Sequence, residues 1–169
     1  TKDLIVWQPL SGAIWSPINI NHARSEGIEW SMQWQPMHFL SASFSQQLSS
    51  TTKRNASFSG DASEGKQLPY VPQETFHASV TLSLPQNILQ IKANADHASF
   101  RYVTSDNSIF IPGYTTLSAS VGTQFTLGNI AFAPSLECDN LTDESYQVFP
   151  AYPMPLRSFH VTITFQYLQ

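Results

Sequence analysis

Apolar and polar residues alternate one by one through most of this chain, and a period of two permits only a β-strand with two unlike faces. Over 28–35, Ile28, Trp30, Met32 and Trp34 interleave without error with Glu29, Ser31, Gln33 and Gln35. Over 76–84, Phe76, Ala78, Val80, Leu82 and Leu84 alternate with His77, Ser79, Thr81 and Ser83. The pattern returns over 89–96, where Leu89, Ile91, Ala93 and Ala95 oppose Gln90, Lys92, Asn94 and Asp96. Over 117–127, Val121 and Phe125 keep the phase and only Thr123 breaks it. Over 160–167, Val161, Ile163, Phe165 and Tyr167 stand against His160, Thr162, Thr164 and Gln166. Weaker versions over 39–48 and 130–138, with a poorly phased strand around 3–15, bring the expected number of antiparallel strands to eight.

What wets the apolar face follows from composition and from the connections. Charged residues make up 12% of the chain, against about 25% in an ordinary soluble domain. Ser, Thr, Gln and Asn replace them on the polar side, so the hydrophilic surface is mostly uncharged. Wholly apolar stretches are a few residues long, far short of the ~18 a membrane helix needs, and only strands closed in a barrel remain as a spanning solution. The strands match the ~9–11 residues of a tilted membrane strand.

Gln35-Pro36-Met37-His38, Pro85-Gln86-Asn87 and Gly128-Asn129 read as tight turns. The connections 16–27, 49–75, 101–115 and 139–158 are long and hold most of the charge. Short and long alternate strictly, as short periplasmic turns and longer external loops do in a transmembrane barrel. The expected fold is therefore an all-β antiparallel transmembrane barrel wall forming a single domain over 1–169, in the outer membrane of a Gram-negative bacterium.

On this reading Ile28, Trp30, Met32, Trp34, Val80, Leu82, Ile91, Val121, Phe125, Val161, Ile163, Phe165 and Tyr167 face lipid. Glu29, His77, Lys92, Asp96, Glu137 and His160 face a hydrated lumen, where charges must be paired or wetted. Tyr102, Tyr114, Tyr146 and Tyr152 fall near strand-loop junctions, the place of interfacial aromatics. The segment 49–75, with Lys53, Arg54, Asp61, Glu64 and Lys66, is expected as an external loop. So is 139–158, with Asp139, Asp143 and Glu144 in solvent.

Several function classes drop out. A net charge of −4 without a cationic cluster argues against nucleic acid. No two of His22, His38, His77, His97 and His160 have the short spacing of a ligand pair, so no metal or cofactor is expected. No Ser-His-Asp signature, Gly-rich phosphate loop or Cys pair appears, and Glu29, Asp96 and Glu137 with Lys92 read as a lumen network, not a catalytic set. An enzyme is not expected. Cys138 is alone and excludes an internal disulfide. Asn55-Ala56-Ser57 and Asn140-Leu141-Thr142 match the glycosylation pattern only incidentally in such a setting. The sequence opens without a basic and apolar leader, so an exported chain is expected to be processed or, preferably, part of a longer polypeptide.

Asn140-Leu141-Thr142-Asp143-Glu144-Ser145-Tyr146, then Tyr152-Pro153-Met154-Pro155-Leu156-Arg157 and a final alternating strand, resemble the end of a TonB-dependent receptor. In that family the last external loop reads Asn-Leu-Phe-Asp, then Tyr, then Pro and Gly-Arg before the closing strand. Asn140, Leu141, Asp143, Tyr146, Pro153, Pro155 and Arg157 carry the match, while Thr142 and Leu156 depart from it and Leu168-Gln169 extend past the usual terminal aromatic. Asp3-Leu4-Ile5 with Trp15, Pro17 and Asn19, Gly27-Ile28-Glu29, Leu68-Pro69-Tyr70-Val71-Pro72 and Ile111-Pro112-Gly113-Tyr114 fit the same family in the same order.

The resemblance implies the last eight strands of a 22-stranded barrel with a plugged lumen. It also implies uptake of metal chelates, corrinoids or similar nutrients, and partnership with outer-membrane lipid and the barrel assembly machinery. The plug and the TonB system would be reached only through a longer or second polypeptide. Two other expectations compete: a self-closed eight-stranded outer-membrane barrel with a structural or interaction role, and a soluble β-sandwich binding module whose apolar faces are buried between sheets.

Overall fold

A computed structural model describes residues 2–11, 14–84 and 88–168, with the side chains of 2–4, 6–11, 14–15 and 18–21 left aside. The strands are β1 (Lys2–Ser11), β2 (Ile14–Met37), β3 (Leu40–Lys53), β4 (Glu74–Ser83), β5 (Gln90–Ala98), β6 (Arg101–Tyr102), β7 (Phe110–Ile111), β8 (Tyr114–Gly122), β9 (Phe125–Leu127), β10 (Ile130–Asp139), β11 (Gln147–Phe149), β12 (Tyr152–Pro153) and β13 (Ser158–Tyr167). The main sheet runs β1-β2-β3-β4-β5-β8-β10-β13, with β9 on β10. Every neighbouring pair is antiparallel. Two small ribbons, β6-β7 and β11-β12, fold within the long connections.

The sheet is one open layer, a half-barrel wall. Among the described residues β1 and β13, at its two ends, are not joined, so neither a self-closed eight-stranded barrel nor a two-layer sandwich forms. The chain's accessible surface is 11278 Å², against roughly 8300 Å² for a compact monomer of this mass. Among the described residues only Ala23, Leu68, Ala98, Ile111 and Cys138 are buried apolar residues, and they lie mainly at the end of the sheet where the long connections gather. Along the rest of the wall no described residue forms a second layer over the apolar side.

Most strands lie where the alternation puts them, and the exceptions have local causes. Residues 16–27, expected as a loop, belong to the 24-residue strand β2. Its first part pairs with β1 from Ser11↔Ile14 to Lys2↔His22, and its second part with β3 from Ala23↔Lys53 onward. The expected strand around 3–15 therefore divides into β1 and the start of β2, and residues 12–13 between them lie outside the described residues. Ile14, Ile18 and Ile20 favour extended backbone whatever their phase, which is why alternation alone missed this extension.

The turn expected over Gln35–His38 sits instead at His38 and Phe39. Pro36 is absorbed by a register shift between Trp34 and Met37, since a residue without an N–H cannot keep the ladder regular. Gly128 holds φ 58 in the Gly128-Asn129 turn, a conformation glycine adopts without strain. The expected turn Pro85-Gln86-Asn87 lies outside the described residues.

Candidate functional site

Antiparallel register carries each side-chain face across the whole wall, because directly paired residues point the same way. One rung links Trp34, Ala42, Val80, Ala93, Ala119, Cys138 and Phe159. The next links Leu40, Leu82, Ile91, Val121, Leu136 and Val161. Lower rungs add Pro134 with Ile163, then Phe125, Phe132 and Phe165, then Leu127, Ile130 and Tyr167. Thr123, the residue out of phase, donates its hydroxyl to the Ile88 carbonyl and so satisfies a polar group on this side.

All thirteen residues expected on the apolar face share it, counting Ile28, Trp30 and Met32 through their pairs Leu48, Gln46 and Phe44. At its upper end Trp30 packs on Phe44 at 4.9 Å, Phe44 on Phe76 at 5.9 Å, and Phe76 stacks on His97 at 4.9 Å. Trp30 Nε1 donates to Gln46 Oε1 at 3.2 Å and Gln46 Nε2 to Glu74 Oε1 at 2.7 Å. Aromatic rings with polar handles thus edge the apolar band at this end, and the Phe125–Phe132 stack at 5.6 Å lies toward the other.

The opposite face carries the polar residues. One rung joins Ser31, Ser45, His77, Asp96 and Thr116, and another Lys92, Ser120, Glu137 and His160. Glu29 lies with Gln47, Thr75, Ala98 and Tyr114. His77 Nδ1 sits 2.7 Å from Asp96 Oδ1, and His160 Nε2 3.2 Å from Asp139 Oδ2, so each imidazole meets a carboxylate on the same face. Asn94 Nδ2 donates to Ser118 Oγ at 3.3 Å, while its Oδ1 is buried and finds no partner among the described residues. The six residues expected on the polar face all lie there. Among the described residues no group of three or more potential metal ligands converges.

Above the polar face the long connections fold over the sheet, and their charges are partly packed inside them. Lys53 is buried, and its Nζ donates to Ser57 Oγ at 2.8 Å, Asp61 Oδ2 at 2.7 Å and Ser63 Oγ at 2.9 Å. The Lys53 ammonium, the Ser57 N–H and the Ser63 hydroxyl and N–H hold the Asp61 carboxyl well below the usual carboxylate range. Thr104 and Ser108 similarly lower Asp106 to about 2. Asp139, expected in the solvated loop with Asp143 and Glu144, instead ends β10 and meets His160.

The family-like loop over 140–157 is a set of backbone staples. Asn140 is buried at φ 49; its Nδ2 donates to the carbonyls of Glu144 at 2.9 Å and Pro155 at 3.3 Å, and its Oδ1 accepts the Glu144 N–H at 2.9 Å. Asp143, at φ 58, accepts the Arg157 N–H at 2.9 Å, and Arg157 Nη1 donates to the Leu141 carbonyl at 3.4 Å. The Leu141 N–H donates to the Leu117 carbonyl at 2.7 Å, and that of Met154, between Pro153 and Pro155, to the Tyr146 carbonyl at 3.0 Å. Tyr146 lies 4.2 Å from Tyr114, and burial, with Tyr114, Asp96 and Asp139 nearby, pushes its phenol pKa up. Asn and Asp tolerate the left-handed backbone these positions require, which gives the motif a physical reading.

A one-layer antiparallel wall, apolar and bare on one side and polar on the other, with short turns at one end and long folded loops at the other, defines a segment of a large outer-membrane-type β-barrel. The chain belongs to the TonB dependent receptor-like, beta-barrel family, whose model matches residues 1–141. Comparison with curated proteins gives no match. Among solved structures, the ferric preacinetobactin receptor BauA of Acinetobacter baumannii superimposes with a TM-score of 0.77 at 15% identity, over 96% of this chain and 25% of that one. The ferric citrate transporter FecA gives 0.73 at 16% identity, over 85% and 24%. The ferric-catecholate import receptor Fiu of E. coli K12 gives 0.67 at 20% identity, over 99% and 24%. The chain therefore spans about a quarter of the length of the structures it matches.

Sequence reasoning located both faces but missed Gln67, Arg101 and Asn107, which organise the loops. Asn107, between Asp106 and Ser108, carried a turn signal; Gln67 and Arg101 carried none.

Proposed function

We propose that these residues form one barrel domain segment, without a plug, in an outer-membrane TonB-dependent transporter that takes up metal chelates or similar bulky nutrients. The apolar row through Trp30, Val80, Ile91 and Phe165 meets lipid. The row through His77, Asp96, Lys92, Glu137 and His160 lines the hydrated interior, and the long loops stand outside the cell. One observation carries this reading: the register gathers the apolar side chains on a face that, among the described residues, no second layer covers. Water would penalise such a face at about 25 cal/mol per Å². Hydrocarbon removes the penalty.

The relatives named above are a ferric preacinetobactin receptor, a ferric citrate transporter and a ferric-catecholate import receptor, so within the nutrient class a metal chelate is favoured over a corrinoid. The plug and TonB act through the rest of a longer polypeptide or a second one, and the barrel assembly machinery inserts the wall. No catalytic step is assigned to the chain.

The test replaces Cys138 by Ser in the full-length receptor and places single spin labels at 79, 80, 91, 92, 162 and 163. Labels at 80, 91 and 163 should be reached by oxygen dissolved in lipid and shielded from a water-soluble nickel chelate. Labels at 79, 92 and 162 should show the reverse. Equal nickel accessibility at both sets would defeat the proposal.

A further inference from the structure

The three long connections, 54–73, 99–113 and 140–157, are fastened to one another as well as to the sheet. Asn107, at φ 61, grips the backbone of Gln67 on both sides: the Gln67 N–H donates to Oδ1 at 3.0 Å, and Nδ2 donates to the Gln67 carbonyl at 2.9 Å. Gln67 is itself buried and held from behind, its Oε1 accepting the Thr51 N–H at 3.0 Å and its backbone forming a bridge to Thr52. The Tyr70 N–H donates to the Tyr102 carbonyl at 2.8 Å, a second tie between the first and second loops.

Arg101 joins the second loop to the third. Its guanidinium is buried, Nη2 donates to the Gln147 carbonyl at 3.0 Å, and its carbon lies 5.3 Å from the centre of the Tyr114 ring, which packs on Tyr146. The triangle is closed by Tyr70 against Phe149 at 5.2 Å, linking the first loop to the third. Each loop is thus bound to both of the others, and none can swing without breaking contacts to the two that remain. Gly113 shows how tightly the assembly returns to the sheet: a Cβ there would stand 2.7 Å from the Ala98 carbonyl oxygen.

We propose that Asn107 and Arg101 are positioning residues that lock these three loops into one preformed lip, so that ligand passes this part of the wall without the loops opening. The proposal rests on the receptor reading for the direction of passage, and on the contacts alone for the locking. Any lid motion then belongs to other parts of the barrel.

Hydrogen–deuterium exchange on the full-length receptor in detergent tests the locking. Asn107→Gly keeps φ 61 accessible while removing both bonds to Gln67, so it separates the fastening from backbone strain. Exchange over 63–73 should rise about tenfold, the scale of one or two net hydrogen bonds. It should rise also over 145–150, in the third loop, while β4 and β5 stay unchanged. A merely local contact would quicken exchange only around Gln67 and Asn107. Arg101→Gln provides an independent arm, expected to loosen 63–73 as well as 145–150. Unrelated exchange rates of the three loops in the unaltered receptor, or an effect of either variant confined to its own contact, would overturn the proposal. Either result leaves the spin-label test of the membrane-facing wall untouched.

Discussion

On the wall, Val161, Phe165 and Ile28 leave 73%, 72% and 69% of their surface uncovered, whereas in the lip Gln67, Leu68 and Arg101 leave 5% each. The wall leaves large apolar side chains bare while the lip packs polar ones beside Leu68, the inverse of a water-soluble domain, in which buried polar groups are the exception. On the proposed reading, the contrast means that two solvents act on one chain. Where hydrocarbon is the surroundings, apolar side chains need no protein cover and the backbone closes its bonds strand to strand. Where water is the surroundings, the loops find order through hydrogen bonds to buried groups such as Lys53, Gln67 and Asn140.

The sharpest break of this comparison is a charge on the bare face. Val80 lies between Ala42 and Ala93 in mid-wall, and Val80→Arg in the full receptor should cost toward the upper end of about 2–4 kcal/mol of folding free energy in lipid. Urea titration of the vesicle-inserted protein measures it. A loss under about 0.5 kcal/mol would mean that water already wets the row.

In the lip, the corresponding cut is Lys53→Ala. It leaves the buried Asp61 carboxylate without its cation, though still accepting from Ser57 and Ser63. About 3 kcal/mol of local stability should be lost, at the lower end for breaking a buried pair. Limited proteolysis within 54–66 should accelerate sharply while the wall strands stay resistant. Unchanged cleavage would show that the pair contributes nothing to the loop.

Acid reaches the same pair more gently. The fold favours ionised Asp61, so its contribution is complete above the pH at which an unfolded Asp titrates, about 4, and fades as pH falls toward its depressed folded value. Asp106, lowered to about 2, follows the same direction. Exchange protection over 54–66 should hold at pH 5 and weaken below about pH 3. A lip that loosens already between pH 7 and 5 would point to groups other than these two carboxylates.

How far the two regions could be read from residues alone differs for the same reason. Alternation is a local signal and it located both faces, because a strand facing two solvents must alternate whatever its neighbours do. The lip depends on pairings between distant residues, Gln67 with Asn107 and Arg101 with Gln147, which leave no period and no spacing to find. Even the loop over 140–157, whose residues resembled a family motif, revealed its staples only in three dimensions: Asn140 reaches Pro155 and Asp143 reaches the Arg157 N–H. The long upper half of β2 escaped for a third reason, since strand propensity without alternation does not distinguish an extended ribbon from a loop.

The smallest expected effect is the most discriminating. Ser79 neighbours Val80 in β4 but lies on the other face, paired with Ser43 and Asn94. If that face is hydrated, Ser79→Arg should change stability by only about 0.5 kcal/mol, the range of an exposed surface substitution. The same side chain placed one residue further should then cost several times more, with backbone, strand and depth in the wall held nearly constant. Equal costs at 79 and 80 would mean that both faces share one environment, and the two-solvent account would fail even if each substitution alone were destabilising.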